Sequence, residues 1–311
     1  MSVFAPSTTD RFLDLNELLR DLVAQGRLLQ ETAEQCLTLR RNTAASQQHP
    51  LEFLAAQQLD DLIRPGKKLD LETLTVWLAE QAGQPYLRID PLKINVAAIT
   101  PLMSYAFAQR HKILAVAVDT QSVTIASAQP FVNSWEANLT HVLKRSIKRV
   151  VANPVELQRF TVEFYRLAKS VSGATATDQK ISGTGNFEQL LNLGASDQEP
   201  DANDSHIINI VDWLFQYAFD QRASDIHIEP RREQGTVRFR IDGVLHNVYQ
   251  FPPQVTMAVV SRLKSLGRMN VAEKRKPQDG RVKTKTPDGG EVAAEVHCGH
   301  SSAAAEQLRW M

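Results

Sequence analysis

The sequence predicts an α+β protein: an N-terminal helical segment, a small α/β domain, a flexible linker, and an α+β module on one antiparallel sheet. Three observations carry this. Leucines recur at helical spacing over residues 15–23. Two-residue alternation with an Asp-Gly turn follows residue 225. Between them, residues 170–204 are rich in Ser, Gly, Thr, Asp and Asn and cannot bury a core. A chain of 311 residues is long enough for about two domains.

In the segment 1–83, Leu15, Leu18, Leu19, Leu22 and Val23 form one helical stripe and Gly26 stops it. Thr32 or its neighbours start a second helix through Arg41, and LEFLAAQQL supplies a third after the loop RNTAASQQHP. Asp70 is the expected N-cap of LETLTVWLAEQAG, with Gly83 as its C-terminal signal. The segment 84–169 changes period. Pro101 is expected to open a helix through Gln109, and KILAVAVD and SVTIASAQ read as a hairpin. Residues 135–144 read as helical, 147–152 as extended, and 154–168 as helical with Pro154 at the start.

After the linker, SHIINIVDWLFQYAFDQRA is amphipathic, with Ser205 as expected N-cap and a buried stripe of Ile207, Ile208, Val211, Leu214, Phe215 and Ala218. Ile226 and Ile228 share one strand face; Val237, Phe239 and Ile241 share another. Asp242-Gly243 turns the first hairpin. A helix follows from about Pro253 to Arg268, and RVKTKTPDGGEVAAEV makes a second hairpin. This module spans 205–296 and a divergent tail covers 297–311; about the last nineteen residues are expected to be poorly ordered, because SSAAAEQ has no anchoring apolar pattern.

Composition excludes several classes. Lys plus Arg number 35 and Asp plus Glu 35, so no basic excess points to nucleic acid. Two cysteines, Cys36 and Cys298, exclude a disulfide scaffold and fit a reducing compartment. No apolar run reaches the length of a membrane span, and the N-terminus, with Asp10 and Asp14 and no basic start, is not a secretory signal.

The chemistry concentrates in two places. Arg238 and Arg240, two apart on a strand, point to one face and form a guanidinium fork for a phosphate or carboxylate; a solvated face paired with Asp or Glu is the alternative. Lys274, Arg275, Lys276 and Arg281 bracket Pro277-Gln278-Asp279-Gly280, a turn that gathers basic side chains for an anion or an acidic partner, or only for solubility. Asp225, His227 and Glu229 alternate on one strand face, which reads as surface hydrogen bonding rather than metal chemistry. His297, Cys298 and His300 match no zinc spacing, so no metal site is expected. No G-x-x-x-x-G-K-[ST], G-x-S-x-G or H-E-x-x-H occurs, and SGTGN (182–186) lacks the flanks of a phosphate loop.

ASDIHIEP, VRFRIDGVL, VVSRLKSLGRMNVAEKR and above all KPQDGR resemble the GspE/PilB-type traffic ATPases of type II secretion and type IV pilus assembly. The resemblance runs in order over about 205–296. Residues 70–168, with QPYLRIDPLKIN and the KILAVAVD hairpin, are similar to the N-terminal domain of type II secretion protein E. It implies that Arg238, Arg240 and Arg281 contact nucleotide phosphates, with Arg262 and Arg275 as second-rank candidates. It also implies an ATPase that uses ATP and magnesium, works as a hexamer and is recruited from the cytoplasm to the inner membrane by a platform protein that residues 1–83 would contact.

Where the family continues into a RecA-like core with Walker A, the sequence here runs AAEVHCGHSSAAAEQLRWM. The expectation is a truncated motor subunit without that core, inactive by itself, with no cofactor of its own and a doubtful hexamer. A non-catalytic adaptor docking on the same platform is the alternative. Some relatives bind cyclic di-GMP through a helical repeat starting R-L-G; Glu17, Leu18 and Leu19 stand there instead, so that ligand is not expected.

Overall fold

A computed structural model describes residues 10–41, 48–175, 203–273, 275–285, 289–299 and 306–310, and the described chain divides into two compact units. In the first unit α1 (Leu15–Ala24), α2 (Gln30–Arg41), α3 (Pro50–Ala56) and α4 (Leu71–Ala82) form the helical part. Short polar side chains start α1 and α4 by accepting otherwise orphaned N–H groups. Asp14 accepts from Asn16 at 3.0 Å and Asp70 from Thr73 at 2.7 Å. Gly83 ends α4 at φ 61°, the left-handed conformation that glycine adopts without penalty. Leu18, Leu22, Leu51, Leu54, Leu74, Trp77 and Leu78 share a core that also takes in Val151. The helices therefore pack on the sheet that follows.

That sheet has the order β1 (Ile113–Val118), β2 (Ser122–Ser127), β3 (Ser146–Val151); β1 and β2 are antiparallel, β2 and β3 parallel. The parallel pair needs a crossover, which α7 (Ser134–Leu143) supplies. Ahead of β1, α5 (Val96–Ile99) is a single turn. The helix expected from Pro101 through Gln109 is corrected. The chain makes one 3₁₀ turn over Thr100–Leu102 and goes extended at Met103 (φ −151°, ψ 156°). It then restarts as α6 (Tyr105–His111), where Ser104 accepts the Phe107 N–H at 3.2 Å. Met103 is buried, and the extended step delivers it to the core before Ser104 caps a new helix. Arg149 on β3 stabilises the α7 connection: it donates to the Val132 carbonyl at 3.0 Å, lies 5.5 Å over the Trp135 ring and pairs with Glu136 at 3.6 Å.

The helix α8 (Pro154–Thr175) is longer than expected. Leu157, Phe160, Phe164, Leu167 and Ala174 are all buried, so the apolar stripe outlasts residue 168. The first six residues read as linker, 170–175, are therefore helix; residues 176–202 lie outside the described residues.

The second unit carries α9 (Ser205–Asp220), β4 (Asp225–Glu229), β5 (Gly235–Ile241), β6 (Val244–Phe251), α10 (Pro253–Leu266), β7 (Gln278–Lys285), β8 (Glu291–Cys298) and β9 (Glu306–Trp310). The N-cap of α9 is Asp204 rather than Ser205, its carboxylate accepting the His206 N–H at 2.7 Å. The strands form one antiparallel sheet in the order β6-β5-β4-β9-β8-β7. Asp242 and Gly243 both have positive φ, 49° and 82°, the two-residue turn that matches strand twist. The expectation of a poorly ordered tail is corrected for residues 306–310: β9 lies at the sheet's centre and joins the two hairpins. Its Leu308 is 2 % exposed, which supplies the apolar anchor that the reading of SSAAAEQ missed.

One face of the sheet is apolar. Ile226, Ile228, Val237, Phe239, Val282, Ala294, Val296 and Leu308 are buried on it, with Phe239 5.5 Å from the Tyr217 ring of α9. The helix α10 crosses the same face. Gly235 lies against Thr256, and Gly280 against the Gly267 carbonyl, where an added Cβ would come to 2.5 Å. Among the described residues of this unit the large apolar side chains left exposed are Val244 and Val271.

Candidate functional site

The opposite, polar face of this sheet collects the sequence-selected arginines. Strand register lines up Arg240, Asp225, position 309, Glu295 and Arg281 across five adjacent strands, β5-β4-β9-β8-β7. The next row runs Arg238, His227, position 307, His297 and Asp279. Alternation places Asp225, His227 and Glu229 on the same face, because the intervening Ile226 and Ile228 are claimed by the core.

Arg240 is held by three partners. Its Nε lies 3.3 Å from Asp225 Oδ2, its Nη1 donates to the Gly243 carbonyl at 3.2 Å, and its Nη2 lies 3.3 Å from His227 Nε2. A guanidinium has no acceptor, so His227 Nε2 accepts and the ring is neutral. Burial and then Arg240 disfavour the imidazolium, Asp225 pulls the other way, and Arg238 adds a smaller repulsion, so the His227 pKa is lowered. Arg238 pairs with Glu229, which Arg231 also reaches at 3.1 Å. Asp225 and Glu229 are 4 % and 8 % exposed, and the two arginine side chains about a third. The carboxylates thus brace the fork from beneath while the guanidiniums keep access to solvent. Both readings of VRFRIDG therefore meet in one place: the arginines are paired with acids and also presented as a fork.

Arg281 donates to Glu295 at 3.3 Å and is 71 % exposed. Four strand spacings of about 4.8 Å separate it from Arg240, roughly 19 Å in all. The face therefore holds a close pair, Arg238 and Arg240, and a distant third arginine, and no single phosphate group spans them. Arg262 is not on this face. It lies on α10, which covers the apolar side, and donates to Asn203 at 3.2 Å.

Arg275 belongs to a braced loop at the entry to β7. Gln278 accepts the Asn270 N–H at 2.8 Å and donates to the Asn270 and Glu273 carbonyls at 2.9 and 3.2 Å. Buried Lys264 donates to the same Glu273 carbonyl at 3.1 Å. The Glu273 carboxylate accepts the Arg275 N–H at 2.6 Å. Lys274 lies outside the described residues. The expected turn at Pro277-Gln278-Asp279-Gly280 is corrected: Gln278, Asp279 and Gly280 pair with β8 as the start of β7, and the bend lies before them, shaped by hydrogen bonds from Gln278 and Lys264, which the sequence reading did not single out. His297 Nδ1 lies 2.6 Å from Asp279, and His300 is outside the described residues. Among the described residues no group of three His, Cys, Asp or Glu side chains is arranged to hold a metal.

Of the residues on which the expectation against cyclic di-GMP rested, Leu18 and Leu19 are core side chains of α1 and Glu17 pairs with Arg11. Among the described residues no helix is long and apolar enough to cross a membrane.

Comparison with known proteins agrees with this architecture. Residues 82–171 match the MshEN domain and residues 200–297 match the Type II/IV secretion system protein family. The chain is 46% identical over 284 residues to the type IV pilus assembly ATPase TfpB of Acinetobacter baylyi, covering 90% of this chain and 48% of that protein. It is 29% identical to the type IV pilus assembly ATPase PilB of Myxococcus xanthus, covering 76% and 41%. It is 36% identical to the type II secretion system protein E of Xanthomonas campestris, covering 41% and 21%. The chain thus spans about half the length, or less, of the curated relatives it matches. A solved structure of MshE with cdg aligns at 19% identity over 49% of this chain and 99% of that chain, with a TM-score of 0.32. Two family matches in family order, and relatives from both systems, agree with the motifs KPQDGR and VRFRIDG: the chain belongs to the GspE/PilB-type traffic ATPase family.

Proposed function

We propose that these residues are the platform-docking and arginine-bearing part of a motor subunit for type II secretion or type IV pilus assembly. The single observation that carries this is the Arg238–Arg240 fork, braced by buried Asp225 and Glu229 on a sheet face whose other side is a packed core. Arginine suits phosphoryl charge because its planar fork matches two phosphate oxygens and stays ionised. In this reading Arg238 and Arg240 meet the phosphates of one nucleotide. Arg281 and Arg275, some four strands away, meet a different group: a second phosphate-bearing site or an acidic surface of a neighbouring subunit.

The nucleotide, its magnesium and the phosphate loop that grips them are supplied outside these 311 residues, which contain no G-x-x-x-x-G-K-[ST]. What these residues do is stabilise charge, so they bind a triphosphate weakly and do not turn it over alone. The first unit recruits the motor to an inner-membrane platform protein, giving peripheral attachment from the cytoplasmic side. Titration with ATP and with adenosine, followed by a phosphate-release assay with magnesium, tests this. Weak, salt-sensitive binding of ATP, none of adenosine, and no release is the expected result. Release of phosphate, or equal binding of adenosine, refutes it.

A further inference from the structure

We propose that the loop at residues 60–68 of the first unit, Asp-Asp-Leu-Ile-Arg-Pro-Gly-Lys-Lys, is a direct contact for an anionic lipid bilayer surface. The loop is built, not slack. Asp60 and Lys68 form an antiparallel bridge and an ion pair at 2.7 Å. The Asp61 N–H donates to the Lys67 carbonyl at 2.9 Å, and the Arg64 and Lys67 N–H groups close successive turns at 3.0 Å each. Beneath it, the fully buried Asp61 carboxylate pairs with Arg27 at 2.9 Å and accepts the Ile63 N–H at 3.2 Å. The Leu62 N–H donates to the Arg27 carbonyl at 3.1 Å, which ties the loop to the turn between α1 and α2.

On this braced frame two adjacent aliphatic side chains face water: Leu62 is 48 % exposed and Ile63 52 %. Leu29, two residues beyond the carbonyl that anchors Leu62, is 59 % exposed. A single exposed leucine is ordinary, but two adjacent large aliphatic side chains held out on a braced loop, with a third two residues from the backbone that anchors it, are not. Arg64, Lys67 and Lys68 flank them. Arg27 and Asp61 are buried as a pair and Lys68 is paired with Asp60, so Arg64 and Lys67 are the two cations the loop presents without an acid of its own beside them. An apolar tip with a basic collar matches the headgroup boundary of an anionic bilayer, where aliphatic side chains enter the acyl margin and cations meet phosphate. The inference stands apart from the nucleotide reading, since it concerns the other unit and another ligand.

Sedimentation with vesicles tests it on the full chain, using phosphatidylcholine alone and phosphatidylcholine mixed with phosphatidylglycerol. Binding is expected only to the mixed vesicles, weakening with added salt. The variant Leu62→Ser/Ile63→Ser is expected to bind about tenfold less, from the aliphatic area that no longer leaves water. Arg64→Gln/Lys67→Gln is expected to bind about 25-fold less, some fivefold per cation. Both leave the Arg27–Asp61 pair intact, and a melting temperature equal to the parent's confirms the fold. Absence of binding to mixed vesicles overturns the proposal. So does binding unchanged in both variants, or capture by an acidic protein surface without any by vesicles.

Discussion

Replacing Gly280 by alanine probes the packing that sets the KPQDGR loop. Gly280 has no positive φ, so its requirement is space and not conformational freedom. The new Cβ would lie 2.5 Å from the Gly267 carbonyl oxygen, 3.1 Å from its carbon and 3.0 Å from Met269 Cγ. Met269 can rotate; the carbonyl cannot move cheaply. The Gly267 N–H is bound to Leu263 at 2.9 Å and the Met269 N–H to Lys264 at 2.9 Å, which fixes the end of α10. Forcing an extra methyl into such a contact costs about 1–3 kcal/mol. At ~2 kcal/mol, amides of β7 and β8 that exchange through opening of this hairpin should exchange about 30-fold faster. Hydrogen exchange read by mass spectrometry is the assay, with Lys283→Ala on the exposed side of the same strand as control, expected within about threefold of the parent. If Gly280→Ala also stays within threefold, the close approach of α10 to β7 is wrong.

Three further outcomes follow from the same geometry. Asp61→Ala leaves Arg27 as a buried, unpartnered cation and should cost the first unit about 3–5 kcal/mol in urea denaturation; a loss under about 1 kcal/mol contradicts the buried pair. His227 has a folded pKa below its ordinary 6.5, because burial and then the two arginines disfavour the imidazolium. The unfolded chain therefore binds the extra proton, and this contribution is intact above pH 6.5 and lost as the pH falls through 6.5 toward the folded value. Exchange of β4 amides should accelerate over that window, and His227→Gln should flatten the response; a parent profile already flat sinks the assignment. Arg149→Lys keeps the charge but not the planar fork over Trp135 and the Val132 carbonyl, and should lower stability by about 1–3 kcal/mol.

Much of the fold was legible because periodicity and capping speak locally. Asp70 and Gly83 bracket α4 as their chemistry dictates, and Asp242-Gly243 turns the hairpin it announces. The failures have a common cause, which is that long-range pairing overrides local signals. Five residues with little pattern, 306–310, became a central strand because β4 and β8 each offered an open edge and Leu308 had a core to enter. Met103 broke an apparently continuous helix to reach the interior. The face shared by Arg238 and Arg240 was legible from a spacing of two. The acids beneath them, Asp225 and Glu229, were visible as alternation, but their pairing depends on register, which the sequence leaves unspecified. Register also separates Arg281 from the fork by four strands, a distance invisible in a motif list.

The most direct test of the central claim is a calorimetric titration of the full chain with ATP, repeated on Arg238→Gln/Arg240→Gln and on Arg281→Gln, with cyclic di-GMP as a second ligand. The account predicts weak ATP binding that the double variant abolishes and Arg281→Gln leaves within about threefold, since roughly 19 Å lies between the two places. ATP affinity unchanged in the double variant, with its fold intact, would contradict it and leave the arginines as partners of Asp225 and Glu229 alone.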